Sequence, residues 1–209
     1  MRCLLINKVC WLLFAFASVL AADKCCHAEM ITTLFAANNG QSGNMFDINI
    51  SAPNGVTIHA FDLNLDAGTW DINLYTLDGT YVGNENDPTA WTLHDSISGL
   101  DSNGFNNPTN WDFADLELET GPQAFYVEVT NGTALNYTNG TGEGNLVVDD
   151  GVIQIFEGTG NAENFGTVFR PRIWNGTIIY SVPEPSVIHL LIAASSTVLL
   201  RRRRGSFLA

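Results

Sequence analysis

Met45-Phe46-Asp47-Ile48-Asn49-Ile50 places Phe46, Ile48 and Ile50 on one side of an extended chain and Asp47 and Asn49 on the other. Side chains alternate across a strand, so a period of two that sorts apolar from polar residues marks a sheet with one buried face. Phe61-Asp62-Leu63-Asn64-Leu65 repeats the pattern, as do 113–120, 125–130, 152–156 and 177–180. Between the runs lie Asn-Gly or Asp-Gly pairs that begin at Asn39, Asn54, Asp78, Asn103, Asn131, Asn139, Asp150 and Asn175. Both residues of such a pair tolerate the positive φ that tight hairpins demand. No stretch of this region keeps a helical period. About ten short strands at this spacing predict an all-β fold, an antiparallel β-sandwich of jelly-roll-like form.

Working outward, the two ends of the chain read differently. Arg2 and Lys8 precede an apolar run over 9–22, and small residues follow, which is the layout of a secretory signal peptide. Cleavage is expected after Ala28, so residues 1–28 form the signal helix and 29–181 the exported domain. The last segment, 182–209, contains Pro183-Glu184-Pro185, then an apolar run over 187–200, then Arg201, Arg202, Arg203 and Arg204. Two prolines around one glutamate end any strand or helix, because each lacks an N–H and fixes its own φ. The apolar run of about 14 residues is shorter than the roughly 20 that a full span requires. Four arginines beside it belong on the cytoplasmic side. The segment therefore suits a hydrophobic helix that sits in the membrane until the chain is cut.

That order of motif, apolar helix and arginine block resembles the PEP-CTERM sorting signal. The resemblance implies recognition by an exosortase-type processing enzyme and delivery to the cell surface or extracellular matrix of a bacterium that makes extracellular polysaccharide. The domain also resembles a module of secreted bacterial proteins. The matching pieces are Gly43-Asn44-Met45-Phe46-Asp47, Phe61 to Gly68, Tyr81-Val82-Gly83, Ala90-Trp91-Thr92-Leu93, Leu135 to Gly140 and Trp174-Asn175-Gly176-Thr177-Ile178. These are turn and core positions, so the likeness implies fold and location but no reaction.

Composition narrows the function. The chain carries a formal net charge of -13, and Arg170 and Arg172 are the basic side chains of the domain. Such an excess of carboxylates repels phosphate backbones and argues against nucleic acid as a partner. All four cysteines (Cys3, Cys10, Cys25 and Cys26) precede Glu29, so the domain must be held by packing, without a disulfide.

Catalytic patterns are sparse. The domain holds no lysine for a phosphate loop, no cysteine and no Gly-x-Ser-x-Gly elbow. His59 reads as a partly exposed strand histidine. His94 and Asp95 are neighbours that point to opposite faces of a strand. Asp62-x-Asn64-x-Asp66 opens like a calcium loop, but Ala67 and Asn73 stand where glycine and glutamate are needed. The metal candidates are Glu85 and Asp87 in a loop, and Asp115, Glu117 and Glu119 along one strand face; Ca2+ is the ion they suit. Trp111, Trp91 and Tyr81 are the candidate aromatic faces for stacking a sugar, with Trp111 expected to be exposed. The expected function is thus a non-enzymatic surface or matrix protein that contacts polysaccharide or protein partners. The alternatives are a secreted glycan-processing enzyme with paired carboxylates and a calcium-stiffened structural module.

Overall fold

The computed structural model describes residues 28–183, and these form an all-β, antiparallel structure. The strands are β1 (Glu29–Thr32), β2 (Asn39–Gln41), β3 (Gly43–Ile50), β4 (Val56–Asn64), β5 (Thr69–Asp78), β6 (Thr92–Asp101) and β7 (Pro108–Leu118). They continue as β8 (Gly121–Val129), β9 (Leu135–Asn139), β10 (Leu146–Asp149), β11 (Ile153–Phe156), β12 (Gly158–Asn161), β13 (Val168–Trp174) and β14 (Gly176–Ser181). One sheet has the order β1-β14-β4-β7; the other runs β2-β9-β13-β12-β3-β8-β5-β6, with β11 also on β3 and β10 on β11. The helices expected within 1–28 and 182–209, together with Glu184, Pro185 and Arg201 to Arg204, fall on residues outside those described.

The two sheets share one core. Phe46, Ile48, Ile50, Phe125 and Val127 of the larger sheet and Ile58, Phe61, Leu63 and Ile178 of the smaller are buried within it. At its centre Phe46 stacks on Trp174 with ring centroids 4.5 Å apart, and Phe61 meets Trp174 at 5.3 Å and Phe125 edge-on at 5.4 Å. The alternation in β3 and β4 is what turns these rings inward.

Two of the strands that the sequence pattern does not mark, β2 and β12, carry no apolar residue at all. β12 is Gly-Thr-Gly-Asn, fully buried because it is paired between β3 and β13. β2 runs through Asn39-Gly40, which the sequence reading treats as a turn. Asn54, Asp78, Asn103 and Asp150 do precede glycines of positive φ. Gly158 stands where β11 gives way to β12 along β3, and a Cβ there would lie 1.9 Å from the Met45 carbonyl oxygen.

Two substitutions test this packing. Phe61→Ala is expected to lower the unfolding free energy by about 3–5 kcal/mol. Gly158→Ala should cost about 2 kcal/mol or more, since backbone must move to admit the methyl. Urea unfolding of both variants measures the two values.

Candidate functional site

The apolar phase of β4 changes partway along the strand. Val56 and Ile58 face the core at even positions, whereas Phe61, Leu63 and the following Leu65 do so at odd ones. His59 is the residue between. Its neighbours pair as Ile58↔Leu116 and Ala60↔Asp112 on one side, and as Ile58↔Tyr180 and Ala60↔Ile179 on the other. His59 is thus the extra residue of a bulge against β14, whereas against β7 the extra residues lie on β7 itself, between Asp112 and Leu116. Bulges re-aim a side chain and gather at functional positions. β7 shows the matching break, with Trp111 and Phe113 buried and then Leu116 and Leu118 turned inward.

This double irregularity assembles a three-residue array across β7, β4 and β14. Nδ1 of His59 is 2.7 Å from Oδ1 of Asp115, and Nε2 is 2.9 Å from Oγ of Ser181. The imidazole is 31% exposed and the Asp115 side chain 65%. Ser181 is 2% exposed. At the start of β4, Pro53, Asn54, Gly55, Glu119 and Thr120 line a shallow cavity of about 290 Å³ that includes none of these three residues. Asn54 Nδ2 donates to the Pro183 carbonyl at 3.5 Å, which ties the end of the domain to this cavity.

The break in β7 also turns the Ala114 peptide groups toward the other sheet. Asp95 Oδ2 accepts from Ala114 N at 2.8 Å, and His94 Nε2 lies 2.6 Å from Ala114 O. His94 and Asp95 therefore act separately, one on each peptide group, and close the seam between β6 and β7.

The aromatic candidates are corrected by their burial. Trp111 is 2% exposed, because Asn-Pro-Thr-Asn is not a loop tip but the start of β7, which turns Thr109, Trp111 and Phe113 inward. Trp91 and Tyr81 are 7% and 1% exposed. They join Met45, Ala124, Tyr126 and Phe165 in a second core on the outer face of the larger sheet. None of the three offers a free ring to a sugar.

The acidic candidates are dispersed. Glu85 and Glu143 both pair with the Arg170 guanidinium, and Tyr81 Oη donates to Glu143 at 2.7 Å. Burial, and then the Glu143 carboxylate, push the Tyr81 hydroxyl well above the usual tyrosine value. Asp87 caps the short 3₁₀ turn Pro88–Ala90 by accepting from the Thr89 amide and hydroxyl, which hold its carboxyl below the usual range. Asp115, Glu117 and Glu119 are exposed, and Asp115 is engaged by His59. Among the described residues no group of three or more His, Cys, Asp or Glu side chains is placed to hold a metal ion.

His59 is the partly exposed strand histidine that the sequence predicts, whereas nothing local in the sequence singles out Ser181. The signal at His59 was present in the phase change from Val56 and Ile58 to Phe61 and Leu63. What pairing brings opposite that break is not local information.

No family model matches the chain, and no curated protein matches it. Among solved structures it is similar to the cysteine protease and lectin-like domains of Cwp84, a surface layer associated protein of Clostridium difficile. The identity is 13% and the TM-score 0.46, over 74% of this chain and 36% of that one. The chain thus spans about a third of that structure's length.

The buried Glu128 generates a pH prediction. It is 1% exposed and accepts from the Asn164 amide, and burial raises its carboxyl above the ordinary 4.5. The folded chain therefore holds this proton more tightly than the unfolded chain does. Its contribution to stability is full below pH 4.5 and is lost as pH rises through the elevated value. Glu128→Gln should remove that loss, leaving a melting temperature that falls less between mildly acidic and neutral pH.

Proposed function

We propose that this chain is an exported, non-enzymatic protein of the cell surface or extracellular matrix, handed to an exosortase-type enzyme through Pro183, Glu184, Pro185 and the segment behind them. What supports the reading most is the pairing of the first and last strands. β1 runs antiparallel to β14 with Glu29 opposite Tyr180, so the chain enters and leaves the domain at one pole. Tyr180 Oη donates to Asp150 at 2.7 Å and lies 3.1 Å from Glu29 Oε2, so its one proton is shared at that pole. Both membrane-directed segments of the sequence therefore attach on the same side. The opposite pole and the sheet faces are left to partners.

A jelly-roll-like sandwich is supported by the way the chain changes sheet between β3 and β4, between β4 and β5, and again between β6 and β7 and β7 and β8. Its acidic surface favours neutral or amino-sugar polymers over anionic ones as polysaccharide partners.

In a host that carries an exosortase-type enzyme, the wild-type chain should lose a C-terminal epitope and reach the surface fraction. The Pro183→Ala, Glu184→Ala, Pro185→Ala variant should keep the epitope and stay in the inner membrane. Identical processing of the two would remove the sorting reading. Polysaccharide pull-downs with the purified domain, with and without chelator, test the partner; retention is expected to survive chelation.

A further inference from the structure

We propose that Ser181 is a nucleophilic serine, activated by His59 and Asp115, that accepts a small acyl group from an activated ester. The argument begins with the ring atoms. An ionised carboxylate only accepts hydrogen bonds, so Asp115 at 2.7 Å holds the proton of His59 on Nδ1. The Nε2 lone pair then faces the Ser181 hydroxyl at 2.9 Å. Nucleophile, base and orienting acid thus stand in linear order on the atoms that acyl transfer needs, the generalised logic of a Ser-His-Asp triad. Cross-strand polar pairs are common on sheet faces. Here, however, the three groups come from three strands and meet where β4 bulges against β14 and β7 bulges against β4.

The step balances without an oxidant or reductant. Ser181 Oγ bonds to the acyl carbon while its proton passes to His59 Nε2. The ester C–O bond then breaks, and the leaving oxygen takes that proton. The products are a serine ester and an alcohol. Because Ser181 is 2% exposed, the acyl group must be small, and water has poor access to the ester once formed. The site is therefore an acyl acceptor that keeps its group, not a turnover enzyme. This is compatible with the surface role above and does not depend on it.

p-Nitrophenyl acetate is the test reagent, with p-nitrophenolate release followed by absorbance and the acetyl group located by peptide mass spectrometry. The folded chain is expected to release close to one equivalent and to carry acetyl on Ser181. Ser181→Ala should abolish the burst. His59→Gln should slow it roughly a hundredfold or more, and Asp115→Asn should slow it with little change in melting temperature, since that side chain is largely exposed. Acetylation of Ser181 no faster in the folded chain than in the urea-unfolded chain would overturn the proposal. So would an equal rate in a folded Asp115→Asn variant, because a purely structural hydrogen bond does not alter serine reactivity.

Discussion

Phe61, carried by the smaller sheet, lies against Trp174 and Phe125 of the larger, and Phe46 stacks on that same Trp174. With every cysteine located before Glu29, this aromatic contact and the aliphatic side chains around it hold the sheets together. Each aromatic pair contributes about 0.5–1.5 kcal/mol beyond its buried area. The rest of the molecule follows from keeping these rings inward along strands whose registers must also accommodate one another.

That requirement explains why the strands are not regular throughout. β4 must deliver Val56 and Ile58 to one end of the core and Phe61 and Leu63 to its middle. An unbroken period of two cannot do both, so one residue is extruded. The extruded residue is His59, and the compensating break in β7 exposes Asp115 beside it while presenting Ala114 to β6. A packing constraint has thus produced a polar array on one face and a seam between sheets at the same level.

The outer face of the larger sheet obeys a different logic. Tyr126, Tyr75 and Met45 would leave an apolar strip facing water, and the segment bearing Tyr81 and Trp91 covers it. Arg170 fastens this cover through Glu85 and Glu143, using one of the two arginines in an otherwise acidic domain. Asp47 accepts from the Thr80 hydroxyl and the Tyr81 amide at the edge of the cover, and burial raises its carboxyl above the ordinary range. Acidic residues that look alike in sequence thus divide into those that clamp loops and those that remain solvated.

The likeness of the C-terminal segment, with Pro183-Glu184-Pro185 and the arginine block, to a sorting signal is an expectation from the sequence alone, and everything in it beyond Pro183 lies outside the described residues. The all-β antiparallel class was legible, because alternation and Asn-Gly or Asp-Gly turns are local properties of a strand and its hairpin. β12 was not, since Gly-Thr-Gly-Asn is buried by the strands on either side rather than by any hydrophobicity of its own. Nor was the inward orientation of Trp111, Trp91 and Tyr81, which depends on what covers each face. The array of Asp115, His59 and Ser181 is the clearest case. Its members lie 56 and 122 positions apart from the histidine. The phase change in β4 could be seen along the chain, but strand pairing chose which carboxylate and which hydroxyl stand beside it.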